Sequence, residues 1–210
     1  MNSKNVYPAN IKIDYPERLD KLTTFFRIFT IIPIFIILAL LIGDNQNSDS
    51  LVKGWRFTYN SGGIVFIPTV LMILFRKKYP KWWFDWNLAL IKFVYRVFSY
   101  LFLLRDEYPS TDEEQAIHIE LAYPDVEKEL NRGLPLIKWL LALPHIVILL
   151  ALYLAVFFGV IIAWFAILFT GVYPRGIFDF VTGVMRWSLR VSAYAVLLVT
   201  DQYPPFSLSV

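Results

Sequence analysis

Trp139-Leu-Leu-Ala-Leu-Pro144-His145-Ile-Val-Ile-Leu-Leu150-Ala-Leu-Tyr-Leu-Ala-Val-Phe-Phe-Gly159-Val-Ile-Ile-Ala-Trp164-Phe-Ala-Ile-Leu-Phe-Thr170 runs for thirty-two residues without a formally charged side chain. At about 1.5 Å per residue, one helix of that length would measure about 48 Å, against about 30 Å for a bilayer core. The stretch is too long for one upright helix. Gly159 is where a turn is expected, which would make two spans of it.

The rest of the chain fits a membrane class. Of 210 residues, 57% are hydrophobic, 18% aromatic and 18% charged, with a mean hydropathy of +0.53. Globular chains average about 45–50% apolar and about 25% charged. Seven Trp and twelve Tyr suit interfacial belts. The absence of cysteine excludes disulfides, thiolate metal sites and cysteine nucleophiles, and two histidines are too few for a histidine-rich metal centre. No cleavable signal peptide is expected, because the first apolar run follows more than twenty polar residues.

Upstream, Leu22 to Ile42 reads as a first span interrupted by Pro33, and Ile64 to Phe75 as a second, short one ending at Arg76-Lys77-Lys78. A polar loop, 43–63, separates them. Trp82 to Leu104 is apolar but carries Asp85, Lys92 and Arg96 on one helical stripe. Basic side chains at mid-bilayer are costly, so this helix is expected to lie in the interface. Ile11, Ile13 and Tyr15 alternate with polar residues, as do Ile117, Ile119 and Leu121, and both runs read as short strands. Phe206–Val210 is a third strand-like edge.

The second half echoes the first. Tyr15-Pro16 matches Tyr123-Pro124, and Arg27 and Pro33 are spaced like Lys138 and Pro144. Tyr79-Pro80 matches Tyr173-Pro174. Lys92, Arg96 and Tyr100 match Arg186, Arg190 and Tyr194, and Asp106-Glu-Tyr-Pro matches Asp201-Gln-Tyr-Pro. The fold class expected is a mainly α, polytopic membrane protein of two tandem repeats, 1–109 and 110–210. Each repeat would supply two spanning helices and one amphipathic interfacial helix, with short cytoplasmic β-strands. Residues 76–105 carry seven Lys/Arg against one Asp, whereas 43–63 carry two of each sign. The positive-inside rule then places both termini in the cytoplasm, in a four-span protein of the cell membrane.

Lys138-Trp-Leu-Leu-Ala-Leu-Pro-His145, Ala163 to Gly176, Gly183-Val-Met-Arg186-Trp-Ser-Leu-Arg190 and Thr200-Asp-Gln-Tyr-Pro-Pro-Phe206 together resemble the DUF4389 family of prokaryotic integral membrane proteins, whose members often carry the unit twice. The resemblance covers 117–206 and, more loosely, 11–109, where Ile34 stands in place of His145. It implies fold and location. The family's function is unknown, so no catalytic residues come with it.

No phosphate-binding Gly-rich loop, metalloprotease helix or Ser/His/Asp set is present, and neither a cofactor nor a metal is implied. Asp85 and Asp179 are each followed by basic residues seven and eleven positions on, which suits internal neutralisation better than acid–base work. The basic excess lies beside apolar helices, so anionic lipid, not nucleic acid, is the expected partner. Lys92, Arg96, Arg186 and Arg190 are the candidates for holding lipid headgroups. His145 is the candidate intramembrane polar site, against an interfacial role near the helix end. The leading function is a non-enzymatic, lipid-interacting membrane protein or accessory subunit, with a protein partner or homo-oligomer as further partner classes. Alternatives are a small transporter or channel and a lipid-modifying enzyme.

Overall fold

The long apolar stretch folds as one helix. In the computed structural model, which describes residues 7–42, 61–111 and 113–209, α6 spans Leu143–Thr170 without a break. Gly159 does not turn the chain. A Cβ built on it would lie 3.2 Å from Ile177 Cγ2, so the glycine is there for close helix packing. Pro144 sits in the first turn, where its missing N–H costs nothing.

Before α6 come strand β1 (Ala9–Ile13), α1 (Lys21–Ile42, with Pro33 inside), α2 (Ser61–Arg76), α3 (Lys81–Leu101), strand β2 (Ile117–Leu121) and two single turns, α4 (Val126–Glu129) and α5 (Lys138–Leu141). Helix α7 (Arg175–Ala195) follows. The chain is mainly helical, and among the described residues two stretches, Lys21–Ala39 and Leu143–Thr170, are long and apolar enough to cross a membrane by length and composition. The four spans expected from sequence are not present as such, because α6 is one helix and α2 has only 16 residues. The 43–60 part of the expected outer loop lies outside the described residues.

Local chemistry sets the helix boundaries. Pro80 and Pro174 take the N-cap positions of α3 and α7 with φ of −61° each, the value proline imposes. Helix α6 closes on Gly171 at φ 74°, whose N–H donates to Ile167 O at 2.7 Å. Helix α2 closes in the same way on Lys77 at φ 49°, with Lys77 N–H donating to Ile73 O at 3.1 Å. A left-handed residue that is not glycine costs about 1–2 kcal/mol, so the tight exit into Tyr79-Pro80 is retained at a cost.

Strands β1 and β2 pair antiparallel, with Ile11 opposite Ile119 at the centre, Lys12 opposite His118 and Ile13 opposite Ile117. Period-2 alternation sends the isoleucines inward and leaves Lys12, His118 and Glu120 exposed. The expected third strand is not formed, since 206–209 makes no ladder. Its carbonyls face arginines instead.

The elements stack in three layers. One face of α7 carries Gly183, Arg186 and Arg190 and meets β1 and the 207–209 segment. The adjoining side, with Trp187 and Ile177, meets α6 at His145 and Gly159. Helix α3 lies beside α7, with Tyr95 Oη donating to Met185 O at 3.4 Å, and it contacts β2 on one side and α1 on the other. Apolar side chains of α1 and α6, such as Phe29, Val147 and Phe169, remain exposed on the outermost layer.

Candidate functional site

Buried charge in this chain is concentrated where α3 and α7 end. At the close of α7, Lys138 is fully buried, its ammonium 2.7 Å from Asp201 Oδ1 and 2.7 Å from Thr200 O. Its ammonium also lies 5.1 Å from the centre of the Tyr194 ring. Burial pushes this lysine below its ordinary pKa, and Asp201 opposes the shift. At the close of α3, Arg27 donates to Tyr100 O at 3.0 Å, to Arg105 O at 3.1 Å and to Asp106 Oδ1, and stacks 4.4 Å from the Tyr100 ring centre. In each lock the second carboxylate oxygen caps the stretch leading into a long helix. Asp106 accepts from Asp20 N–H at 2.7 Å, and Asp201 accepts from Asn131 N–H at 2.6 Å.

The four candidate headgroup cations divide. Arg96 and Arg190 are buried, and Arg186 is half-buried. Arg96 donates to Ser110 O at 2.9 Å. Arg186 reaches Ile11 O at 3.2 Å and Leu208 O at 2.9 Å, while Arg190 reaches Ser207 O at 3.4 Å and Ser209 O at 2.9 Å. Burial lowers both pKa values of this arginine pair. These three guanidinium groups tie irregular segments to α3 and α7. Gly183 allows the last tie, because a Cβ there would fall 2.9 Å from Leu208 Cβ. Lys92 is half-buried. Asp85 and Asp179, expected to neutralise these cations, form no ion pair among the described residues.

His145 is fully buried rather than reaching headgroups. Trp187 Nε1 donates to its Nδ1 at 3.0 Å, which places the proton of a neutral ring on Nε2. Phe206 stacks on the imidazole at 3.9 Å and 15°, and Tyr203 lies 4.8 Å away. The Nε2 position has no hydrogen-bond partner among the described residues. The rings of Trp187, Tyr203 and Phe206 surround it. His118, on the sheet, meets Asp14 at 3.1 Å and lowers that carboxylate's pKa.

Two open clefts flank the locks. One, of about 660 Å³, is lined by Glu17, Arg18, Arg105 and Asp106 among others. The other, of about 530 Å³, includes Lys128, Glu129, Arg132 and Asp201. Each mixes both signs of charge, and among the described residues no three His, Asp or Glu side chains gather as a metal site would require.

This is a helical chain with, among the described residues, two helices long and apolar enough to cross a membrane, and its buried arginines and lysine donate to its own backbone carbonyls. Residues 135–207 match the model of the DUF4389 family, described as a domain of unknown function, and that match confirms the resemblance over the second half. No curated protein and no solved structure matches the chain.

The locks, rather than the arginine stripe, are the residues whose role sequence reasoning missed. Arg27, Lys138, Asp106 and Asp201 were all visible as matched positions. Nothing in their spacing said that each cation would meet an aspartate more than sixty residues away.

Proposed function

We propose that this chain is a non-catalytic membrane protein that engages lipid through the outer faces of α1 and α6 and serves as a lipid-interacting or accessory subunit of a membrane assembly. The observation carrying this is the length of α6 whose outward side is apolar and exposed, from Leu143 to Phe169. A contiguous apolar surface of that extent needs a non-aqueous partner. The engagement of Arg27, Arg96, Lys138, Arg186 and Arg190 by backbone carbonyls and the lock aspartates supports a structural rather than chemical use of charge.

The two halves, on this proposal, are a tandem duplication related by an approximate two-fold. Support comes from reciprocal contacts. Tyr15 Oη donates to Tyr173 O at 2.5 Å, and Tyr123 Oη donates to Tyr79 O at 2.5 Å. Tyr79 Oη donates to Leu197 O at 2.9 Å, and Tyr173 Oη to Phe102 O at 3.3 Å. The β1–β2 ladder and the two locks obey the same exchange.

Fractionation tests the membrane assignment. The protein should stay in the membrane pellet through alkaline carbonate and urea, and leave only with detergent. Recovery in the carbonate supernatant would end it.

A further inference from the structure

Among the buried residues of α6, His145 alone can take up a proton in the mildly acidic range. Its Nδ1 accepts from Trp187 Nε1 at 3.0 Å, and its Nε2 has no hydrogen-bond partner among the described residues. An indole N–H only donates, so this bond exists only while Nδ1 is unprotonated. A proton added there sets two donors against each other. No flip of the ring restores the bond, because both nitrogens of an imidazolium are donors. The surroundings offer a charged ring little in return. Phe206 stacks on it at 3.9 Å, with Tyr203 at 4.8 Å and Trp187 at 5.8 Å, and of these only Tyr203 is titratable. Behind Tyr203 stand Tyr194 and the Lys138 ammonium, which already holds Asp201 at 2.7 Å. Helix α7 adds two more cations, Arg186 and Arg190, and α6 itself only Tyr153. One imidazole nitrogen meets an indole and the other meets nothing, so no carboxylate pairs with the ring. Stacking on Phe206 offsets only part of the cost of a buried cation without a counter-charge.

Two of the three rings around His145 belong to the 203–209 segment, which forms neither helix nor ladder. Phe206 is 53% exposed although the imidazole beneath it is fully buried, so this cover lies at the surface and can lift without opening the helix pair. The segment's ties are few. Tyr203 Oη donates to Leu141 O at 3.1 Å, Leu208 rests against Gly183, and the carbonyls of Ser207, Leu208 and Ser209 accept from Arg186 and Arg190. Helices α6 and α7, by contrast, are held by their own hydrogen-bond ladders. We infer that 203–209 is an acid-released latch. Protonation of His145 breaks the Trp187 bond and expels the Phe206 and Tyr203 rings, the segment leaves α7, and Arg186 and Arg190 lose three carbonyl partners. The closed form belongs to neutral His145, and the latch opens as pH falls. Ile34 stands at the corresponding position of the first half and does not titrate, so only the second half carries the device.

A nitroxide on Ser209→Cys reports the latch in the detergent-purified full chain, since Ser209 is exposed and the chain has no cysteine of its own. Its spectrum should be immobilised at about pH 7.5 and turn to the fast-motion form by about pH 4.5, on the acid side of histidine's ordinary range, with helical circular dichroism unchanged. His145→Gln keeps an acceptor for Trp187 and does not titrate, so its label should stay immobilised across the same interval. A second measurement holds even where that variant fails to fold. The chain has two histidines, so His118→Gln leaves the imidazole NMR signal of His145 alone, and its titration midpoint should coincide with that of the label. Four results would overturn the latch: the same loosening in folded His145→Gln, midpoints that differ, an imidazole that is protonated while the label stays immobilised, or a label that loosens only when the helices themselves melt.

Discussion

The two locks use the same scheme with different cations, and the contrast shows what each half can lose. Arg27 divides its fork among two carbonyls and a carboxylate, so three acceptors depend on one planar group. Lys138 serves one carbonyl and one carboxylate from a compact ammonium with no exposed surface. The surroundings differ too. Beside Arg27, Ile31, Ile34 and Leu38 pack on Phe93, Val97 and Tyr100 as a plain apolar cluster. Beside Lys138, His145 takes the place corresponding to Ile34 and organises Trp187, Tyr203 and Phe206 around an imidazole. A backbone connection fixed by geometry tolerates a change of cation. The packing next to it is polar beside Lys138 and apolar beside Arg27.

The largest effect is expected from Arg27→Met, which takes the cation from Asp106 and strands the Tyr100 and Arg105 carbonyls. Breaking a buried pair costs about 3–5 kcal/mol, and the melting temperature in detergent should fall accordingly. Lys138→Met should cost less, about 3 kcal/mol, because fewer acceptors are stranded, and adding Asp201→Asn should restore part of it. Equal losses at the two positions would show that the acceptor count is irrelevant. Next in size is His145→Ile, which copies the first half's residue and leaves the Trp187 N–H without its acceptor. A loss of about 1–3 kcal/mol is expected, together with a change in Trp187 fluorescence that Ile34→Val does not produce. Tyr15→Phe and Tyr123→Phe should each remove about 1 kcal/mol. Unequal values would count against the proposed two-fold. The smallest effect concerns Asp14. Its pKa is held down chiefly by its hydrogen bond to His118, so its contribution is complete above the ordinary carboxylate range and vanishes as pH falls through the depressed value. The small stability difference between wild type and Asp14→Asn should therefore be present near about pH 6 and absent near about pH 2.

Much of this architecture was legible from residue patterns. Helices α1, α3, α6 and α7 follow their apolar runs, and the strand pair follows the alternation around Ile11 and Ile119. The Tyr-Pro pairs mark the starts of α3 and α7, because proline at a helix start is a local instruction. Gly159 was misread because a glycine in an apolar run has two uses, turning or close approach, and only the presence of Ile177 across the interface distinguishes them. The backbone partners of the arginine stripe were hidden for a similar reason. Periodicity places Arg186 and Arg190 on one face, but does not reveal that a segment twenty residues downstream folds back to offer its carbonyls. His145 stands out in the sequence as a lone histidine after Pro144, yet its aromatic enclosure depends on Phe206, which no helical spacing connects to it.

The sheet's pairing has a consequence for how the protein is made. Strand β1 emerges from the ribosome early, but its ladder partner is Ile117–Leu121 and its Ile11 carbonyl waits for Arg186, 175 residues later. Until then the strand is an open edge joined to a nascent apolar helix, which is the kind of segment chaperones and insertion factors hold. Tyr7 waits longer still, since its hydroxyl reaches the carbonyls of Arg190 and Gln202. Synthesis must therefore run to Gln202 before the contacts of the first strand and of Tyr7 are all complete.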